Sequence, residues 1–168
     1  MKQQSVDQPS RKPLRHAFLI LVLSISALAA VTTSIAVAAG LKPWVMFLAW
    51  TAFGLGKGNL PGGIFAILAM FVGIVISMLT TQGWLVLQPY APFLALPVAV
   101  FLAVVVVLSM ALIPPIDNIP ACFIGLSTYF ASQMDANIST FAYLAAAVLL
   151  GGVAAATAMF IGQALQQA

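Results

Sequence analysis

The chain has 168 residues, of which 63% are hydrophobic and only 5% are charged, and it contains no glutamate. Soluble domains carry about 25% charged residues, so this composition excludes water as the solvent for most of the surface. The formal net charge of +3 arises mainly at one end, because Lys2, Arg11, Lys12 and Arg15 all precede the first apolar run. These features predict an integral membrane protein with a cytoplasmic N-terminus, since basic residues mark the cytoplasmic side.

The first segment divides into a basic tail and an apolar run. Residues 1–15 predict a polar basic cytoplasmic tail, and residues 16–168 predict the membrane domain. The run Ala17–Ala39 has 23 residues, whereas the apolar region of a cleaved signal has about 7–15. We therefore expect an uncleaved membrane helix. No aromatic or folded platform accompanies the basic residues, so we expect no nucleic-acid partner.

Six apolar segments follow one another in the order long, short, long, then long, short, long. A helix rises about 1.5 Å per residue, so the long segments can cross the roughly 30 Å hydrocarbon core, whereas the short ones reach only about 20 Å. The long segments are Ala17–Ala39, Leu60–Thr81, Pro92–Ile113 and Ser139–Leu165, and the short ones are Trp44–Leu55 and Ile119–Ala131. The pattern predicts an all-α, multi-pass membrane helical bundle.

The two halves of the chain resemble each other at a displacement of 76 positions, the separation of Phe65 and Phe141. This displacement aligns "FAILA" (Phe65–Ala69) with "FAYLA" (Phe141–Ala145) and also pairs the two short segments. We therefore predict two tandem repeats of long–short–long helices, about residues 17–81 and 92–165. Two topologies are open: six crossings with inverted repeats, or four crossings with two re-entrant short helices and parallel repeats.

The polar and aromatic side chains of the short segments form the candidate site. Aromatic walls with few polar groups suit a small, neutral or weakly polar solute, and helices broken within a membrane can expose backbone groups to it. Hydroxyl groups in apolar helices also bond to their own backbone, so a structural role is the alternative for them. The predicted solute pathway comprises Trp50, Thr51, Phe53, Lys57, Ser127, Thr128 and Tyr129.

Lys57 lies in the glycine-rich break "GLGKGN" that follows the first short segment. It either extends to the lipid headgroups or lies at the mouth of a polar cavity, where Asp135 is its candidate partner. The second short segment begins at "DNIP", where Asp117 or Asn118 can cap the helix. The break lacks the glycine spacing of a phosphate loop, so we expect no phosphate site.

Chemical groups that the sequence lacks narrow the function. The interiors of the long apolar segments hold no Asp, Glu, His, Lys or Arg, and no Ser/His/Asp set, carboxylate pair or His/Cys cluster occurs. Such groups supply acid–base, nucleophilic and metal chemistry, so we expect no enzyme, no cofactor and no metal. A proton-coupled pump also needs an ionisable relay within the membrane. We expect a passive channel or facilitator, or alternatively a non-transporting scaffold or subunit that binds a partner through small-residue helix faces.

Two stretches resemble domain-of-unknown-function family 1097, a group of uncharacterised bacterial inner-membrane proteins. They are "WVMFLAWTAFGLGKGNLPGG" (Trp44–Gly63) and "NIPACFIGLSTYFASQ" (Asn118–Gln133), and the resemblance extends over about residues 17–165. It implies a multi-pass fold in the bacterial inner (plasma) membrane, but no activity and no site residues. The partners we expect are the lipid bilayer, further copies of the chain in a homo-oligomer, and a small-molecule solute that the sequence does not identify.

Overall fold

The computed structural model describes residues 11–166, and this part of the chain contains helices and connecting turns without a strand. The predicted all-α fold and the order of its elements are confirmed. Residues 1–10 of the predicted tail lie outside the described residues, and the first helix begins within the predicted tail range. The helices are α1 (Arg11–Ala38), α2 (Pro43–Gly54), α3 (Leu60–Leu87), α4 (Ala95–Ser109), α5 (Ile119–Ser132) and α6 (Ile138–Gln166), and a 3₁₀ turn, Met110–Leu112, continues α4.

Within residues 11–166, four helices contain segments that are long and apolar enough to cross a membrane, whereas α2 and α5 have only 12 and 14 residues. The third helix extends six residues past its predicted end at Thr81, because residues 82–87 contain one glycine and no proline that would stop it. The four apolar spans are Phe18–Ala38, Leu60–Leu87, Ala95–Leu112 and Ile138–Leu165.

Asparagine and proline define the starts of α3 and α5. The Asn59 side-chain oxygen accepts a hydrogen bond from the Gly62 N–H at 2.8 Å, and Asn118 accepts one from the Ala121 N–H at 3.1 Å. A proline stands in the first turn of each helix, where its missing N–H would have had no intrahelical partner. Of the two residues predicted as caps for α5, Asn118 is the one that caps.

Successive helices run in opposite directions along the chain. Two hydrogen bonds between the ends of α2 and α5 show how the two short helices are oriented relative to each other. The Asn118 amide donates to the Leu55 carbonyl at 3.1 Å, which joins the start of α5 to the end of α2. The Lys42 ammonium donates to the Ser132 carbonyl at 3.1 Å, which joins the start of α2 to the end of α5. The short helices are therefore antiparallel, which is the relative direction that the alternative with inverted repeats predicts.

This path gives the bundle two faces. The N-terminal face carries the start of α1, the α2–α3 loop, the α4–α5 loop and the end of α6, where Gly162 approaches Leu21. The opposite face carries the other three loops, and there the Gln82 amide donates to the Ala136 carbonyl at 3.2 Å. Lys57 and its predicted partner Asp135 belong to loops on different faces, so that predicted pairing is wrong.

Each short helix packs most extensively against a long helix of the other half, α5 against α3 and α2 against α6. Glycines allow the backbones to approach at these crossings. A Cβ on Gly73 would overlap the Cys122 carbonyl, and one on Gly151 would overlap the Met46 carbonyl. The tightest packing of the bundle therefore lies between its two halves rather than within either of them.

The two short helices bury corresponding positions. The buried residues of α2 are Val45, Met46, Ala49, Ala52 and Phe53, and residues 76 positions further along are buried in α5. Those residues are Ala121, Cys122, Gly125, Thr128 and Tyr129. A common origin of the halves would produce this agreement, although the duplication itself stays a prediction.

Candidate functional site: a polar cavity between two broken helices

A cavity of about 540 Å³ opens at the N-terminal face, where the α2–α3 and α4–α5 loops meet. Its polar side chains are Lys57 and Asn59 from the first loop and Asp117 and Asn118 from the second. The start of α3 supplies apolar lining residues, among them the buried Ala66. We call this space the polar cavity.

Part of the polar cavity lies deeper in the bundle than the end of the neighbouring helix α6. Ile67 of α3 lies against Gly152 of the antiparallel α6, so Leu60 is level with about residue 159. The apolar span of α6 continues to Leu165. At 1.5 Å per residue, the α2–α3 junction is about 9 Å inside the end of that span. Irregular backbone at such a depth is tolerated where protein buries it or where it lines a water-filled space.

The α2–α3 loop is compact, and its glycines explain how it turns. Gly56 lies so close to Gly62 that a Cβ on either would overlap the other's backbone. Gly58 has φ +68° and Lys57 has φ 44°. The left-handed conformation costs a residue with a Cβ about 1–2 kcal/mol, and such strained residues cluster at functional sites.

The backbone N–H groups at the start of α5 are already bonded. The Ile119 N–H donates to the Asp117 carbonyl at 3.0 Å, the Ala121 N–H donates to Asn118, and Pro120 has no N–H. In α3, the Gly62 and Gly63 N–H groups both donate to Asn59. Helix N-termini bind anions through unbonded N–H groups, so the polarity of the cavity comes mainly from its side chains.

Among the residues that the sequence predicted for a solute pathway, only Lys57 lines the polar cavity. Phe53 is buried, and its ring lies against Gly63 at the start of α3. The exposed Thr51 hydroxyl donates to the Phe47 carbonyl at 3.0 Å, and the half-buried Trp50 stacks on the Phe47 ring at 6.5 Å.

The three predicted residues of α5 differ in their surroundings. Ser127 is exposed, and the buried Thr128 hydroxyl donates to the Ile124 carbonyl at 2.7 Å. Tyr129 is 2% exposed, and its hydroxyl has no hydrogen-bond partner within the described part of the chain. None of these three side chains lines the polar cavity.

Sequence reasoning missed Asn59, Asp117 and Asn118 as cavity residues. A signal for two of them is present, because "NLP" (residues 59–61) and "NIP" (residues 118–120) mark the two helix starts that meet at the N-terminal face. This pair is invisible at the displacement of 76, which aligns Asn118 with Lys42 instead. Within residues 11–166, no group of three or more His, Cys, Asp or Glu side chains could hold a metal ion.

The apolar spans and the exposed surface define the class. Large apolar side chains are exposed along α1, including Phe18 at 63% and Leu23 at 68%, and only 6% of the α1 span is buried. Such a continuous apolar surface fits lipid and not water. The protein is a multi-pass integral membrane protein.

Comparison with known proteins assigns the family. Residues 22–163 match the family "Protein of unknown function (DUF1097)", and the chain belongs to it. The resemblance found in the two sequence stretches is thereby confirmed. No curated protein and no solved structure matches the chain.

Proposed function

We propose that the protein is a passive channel or facilitator for a small neutral or weakly polar solute, which enters at the polar cavity. The observation that carries the proposal is that the α2–α3 loop, about 9 Å inside the end of the α6 span, and the α4–α5 loop bring charged and amide side chains to one open space. A membrane protein without a solute site would be expected to fill this space with apolar side chains. Polar groups within the membrane cost free energy unless they are hydrated or paired.

The four apolar spans of the described residues contain no Asp, Glu, His, Lys or Arg, which supports passive movement rather than a proton-coupled mechanism. Beyond the cavity, close packing of Gly73 and Gly125 between α3 and α5 leaves no wide pore. A solute therefore needs a small opening movement of the bundle to proceed. We propose that Thr128 and Tyr129 lie near this deeper part of the route, where the unpartnered Tyr129 hydroxyl would offer a hydrogen bond to a passing solute.

The remaining predicted residues have a subsidiary place in the proposal. Trp50, Thr51 and Ser127 lie on partly or fully exposed positions of the short helices. We expect the combined change Thr51→Val and Ser127→Ala to leave solute flux within about twofold of the unaltered protein, since neither side chain lines the polar cavity. Lys57 stays the predicted residue at the mouth.

Solute flux into liposomes tests the function. The purified full chain is reconstituted, and swelling is followed by light scattering with a panel of small solutes. We expect Asp117→Trp to reduce flux at least about tenfold, because an indole in the α4–α5 loop would obstruct the opening of the cavity. Asp135→Trp is the matched control, since it places the same ring in an exposed loop on the opposite face.

Two results would contradict the proposal. One is a wild-type protein that raises permeability above empty vesicles for no solute of the panel. The other is equal flux in the Asp117→Trp and Asp135→Trp proteins, which would mean that the solute does not pass through the polar cavity. Circular dichroism and gel filtration of each variant establish that the compared proteins are folded.

The alternative function, a non-transporting scaffold or subunit, is favoured by a different surface. An apolar groove of about 310 Å³ lies between α3 and α6, and Gly152 and Ala156 form part of its wall. Small residues on a lipid-facing helix let another helix approach closely. The same face would serve the homo-oligomer that we expect. A scaffold would show no flux in the liposome assay.

We also propose a bacterial inner-membrane location with the N-terminal face in the cytoplasm. Arg11, Lys12, Arg15 and Lys57 belong to segments on that face, whereas Lys42 belongs to a loop on the other. Basic residues prefer the cytoplasmic side. The polar cavity would then open to the cytoplasm.

A further inference from the structure

We infer that the polar cavity binds a zwitterionic solute, whose cationic group lies against Asp117 and whose anionic group lies against Lys57. The inference rests on the proposed function and names the class of solute for the same site. A zwitterion carries no net charge, so it falls within the neutral class but is far more specific than that class.

The first step is that the cavity wall carries one charge of each sign. Lys57 comes from the α2–α3 loop and Asp117 from the α4–α5 loop, and both line the polar cavity. No ion pair joins them within the described residues, and neither charged group has a hydrogen-bond partner there. The two charges thus face a shared space without neutralising each other directly.

The second step concerns which solute satisfies both charges. An anion would be attracted by Lys57 and repelled by Asp117, and a cation would meet the reverse. A solute with two separated opposite charges is attracted by both residues. Such a site favours zwitterions by attraction at both ends, and it discriminates against simple anions and cations because each is repelled by one of the two residues.

The third step concerns the N–H groups at the two helix N-termini, most of which are bonded or missing. Asn59 and Asn118 accept hydrogen bonds from N–H groups of their own helices, and Pro61 and Pro120 contribute no N–H. The Lys57 ammonium is therefore the main group on the cavity wall that attracts an anionic group. The cavity therefore offers one cationic group, Lys57, and one anionic group, Asp117, rather than a non-selective anion-binding site.

The cavity is large enough for such a solute together with water. Its volume of about 540 Å³ falls within the roughly 300–1,000 Å³ of small-molecule sites. The amides of Asn59 and Asn118 line the same space and can contact the polar body of the solute.

Binding to the full chain in lipid nanodiscs tests the inference without any need for transport. The probes are ω-amino acids from glycine to 6-aminohexanoate, so that the separation of the two charges increases in steps. Each is compared by calorimetry with the carboxylate and the amine of equal length. We expect at least one ω-amino acid to bind about tenfold or more tightly than both single-charge analogues. A series in which no zwitterion exceeds its analogues would overturn the inference.

Charge variants assign the two ends of the solute. Asp117→Asn should weaken zwitterion binding about tenfold without weakening binding of the carboxylate analogue, which loses a repelling charge. Lys57→Gln should likewise weaken zwitterion binding without weakening binding of the amine. Asp135→Asn is the control and should change nothing, because Asp135 lies on the opposite face. Equal loss of zwitterion, carboxylate and amine binding in a folded variant would contradict the assignment. Binding without flux would refute the proposed function, and flux without zwitterion preference would refute this inference.

Discussion

Single glycines determine how closely the halves of the bundle approach. At Gly125, an added Cβ would overlap the Met70 carbonyl, which is backbone and cannot move as a side chain end can. At Gly83, near the C-terminal end of α3, nothing lies within 4 Å of an added Cβ. Gly125 is therefore required for close packing of two helices, whereas Gly83 is not, and the difference lies in the residues around each glycine.

We predict that Gly125→Ala lowers stability by about 1–3 kcal/mol, the usual cost of inserting a methyl group into a packed core. The measurement is the thermal midpoint in detergent, followed by loss of the monodisperse gel-filtration peak. Gly83→Ala is the matched control and should be neutral or up to about 1 kcal/mol more stable, since alanine favours a helix over glycine. Similar midpoints for the two variants would contradict the close packing of α3 and α5.

At the scale of elements, Asn118 has two functions where Asn59 has one main function. Both side chains cap their own helix, but the Asn118 amide also donates to the Leu55 carbonyl across the gap between α5 and α2. A cap is worth about 1 kcal/mol, and a hydrogen bond about 0.5–1.5 kcal/mol. The Asn118 side chain thereby couples the two broken helices at the N-terminal face.

We expect Asn118→Ala to destabilise the protein by about 1 kcal/mol more than Asn59→Ala does, because it removes the bond between helices as well as the cap. Asn118→Ser separates the effects, since serine caps a helix but cannot reach as an amide donor. Denaturant titration followed by tryptophan fluorescence measures the differences. If Asn118→Ser were as stable as the unaltered protein, the bond to Leu55 would contribute nothing.

Helices could be predicted from the sequence because each corresponds to an uninterrupted apolar run. Glycines mark where the first short helix ends, and "NxP" sequences mark where α3 and α5 begin. The packing of α5 against α3 could not be predicted from the sequence, because a single sequence does not show which apolar helix faces meet. Polar residues within helices were also ambiguous. The Thr51 hydroxyl is bonded to its own helix, whereas Asp117, in a loop, reaches the polar cavity.

At the scale of the whole bundle, each short helix of residues 11–166 packs mainly against a long helix from the other half of the chain, and apolar surface surrounds these contacts. The central α3 has 44% of its span buried, and the peripheral α1 only 6%. Because successive helices alternate in direction, the two loops that end in "NxP" helix starts lie on one face together with the start of α1. This arrangement creates the polar cavity, and the predicted alternative with re-entrant short helices would separate its loops from the N-terminal face.

Sided labelling of single cysteines tests this arrangement most directly. With Cys122 replaced by alanine, a cysteine is introduced at Asp117 or at Asp135 and exposed to a membrane-impermeant maleimide in vesicles of known orientation. We predict that position 117 reacts from one side and position 135 from the other, because the two loops lie on opposite faces. Reaction of both positions from the same side would contradict the alternating path of the helices and the cavity that depends on it.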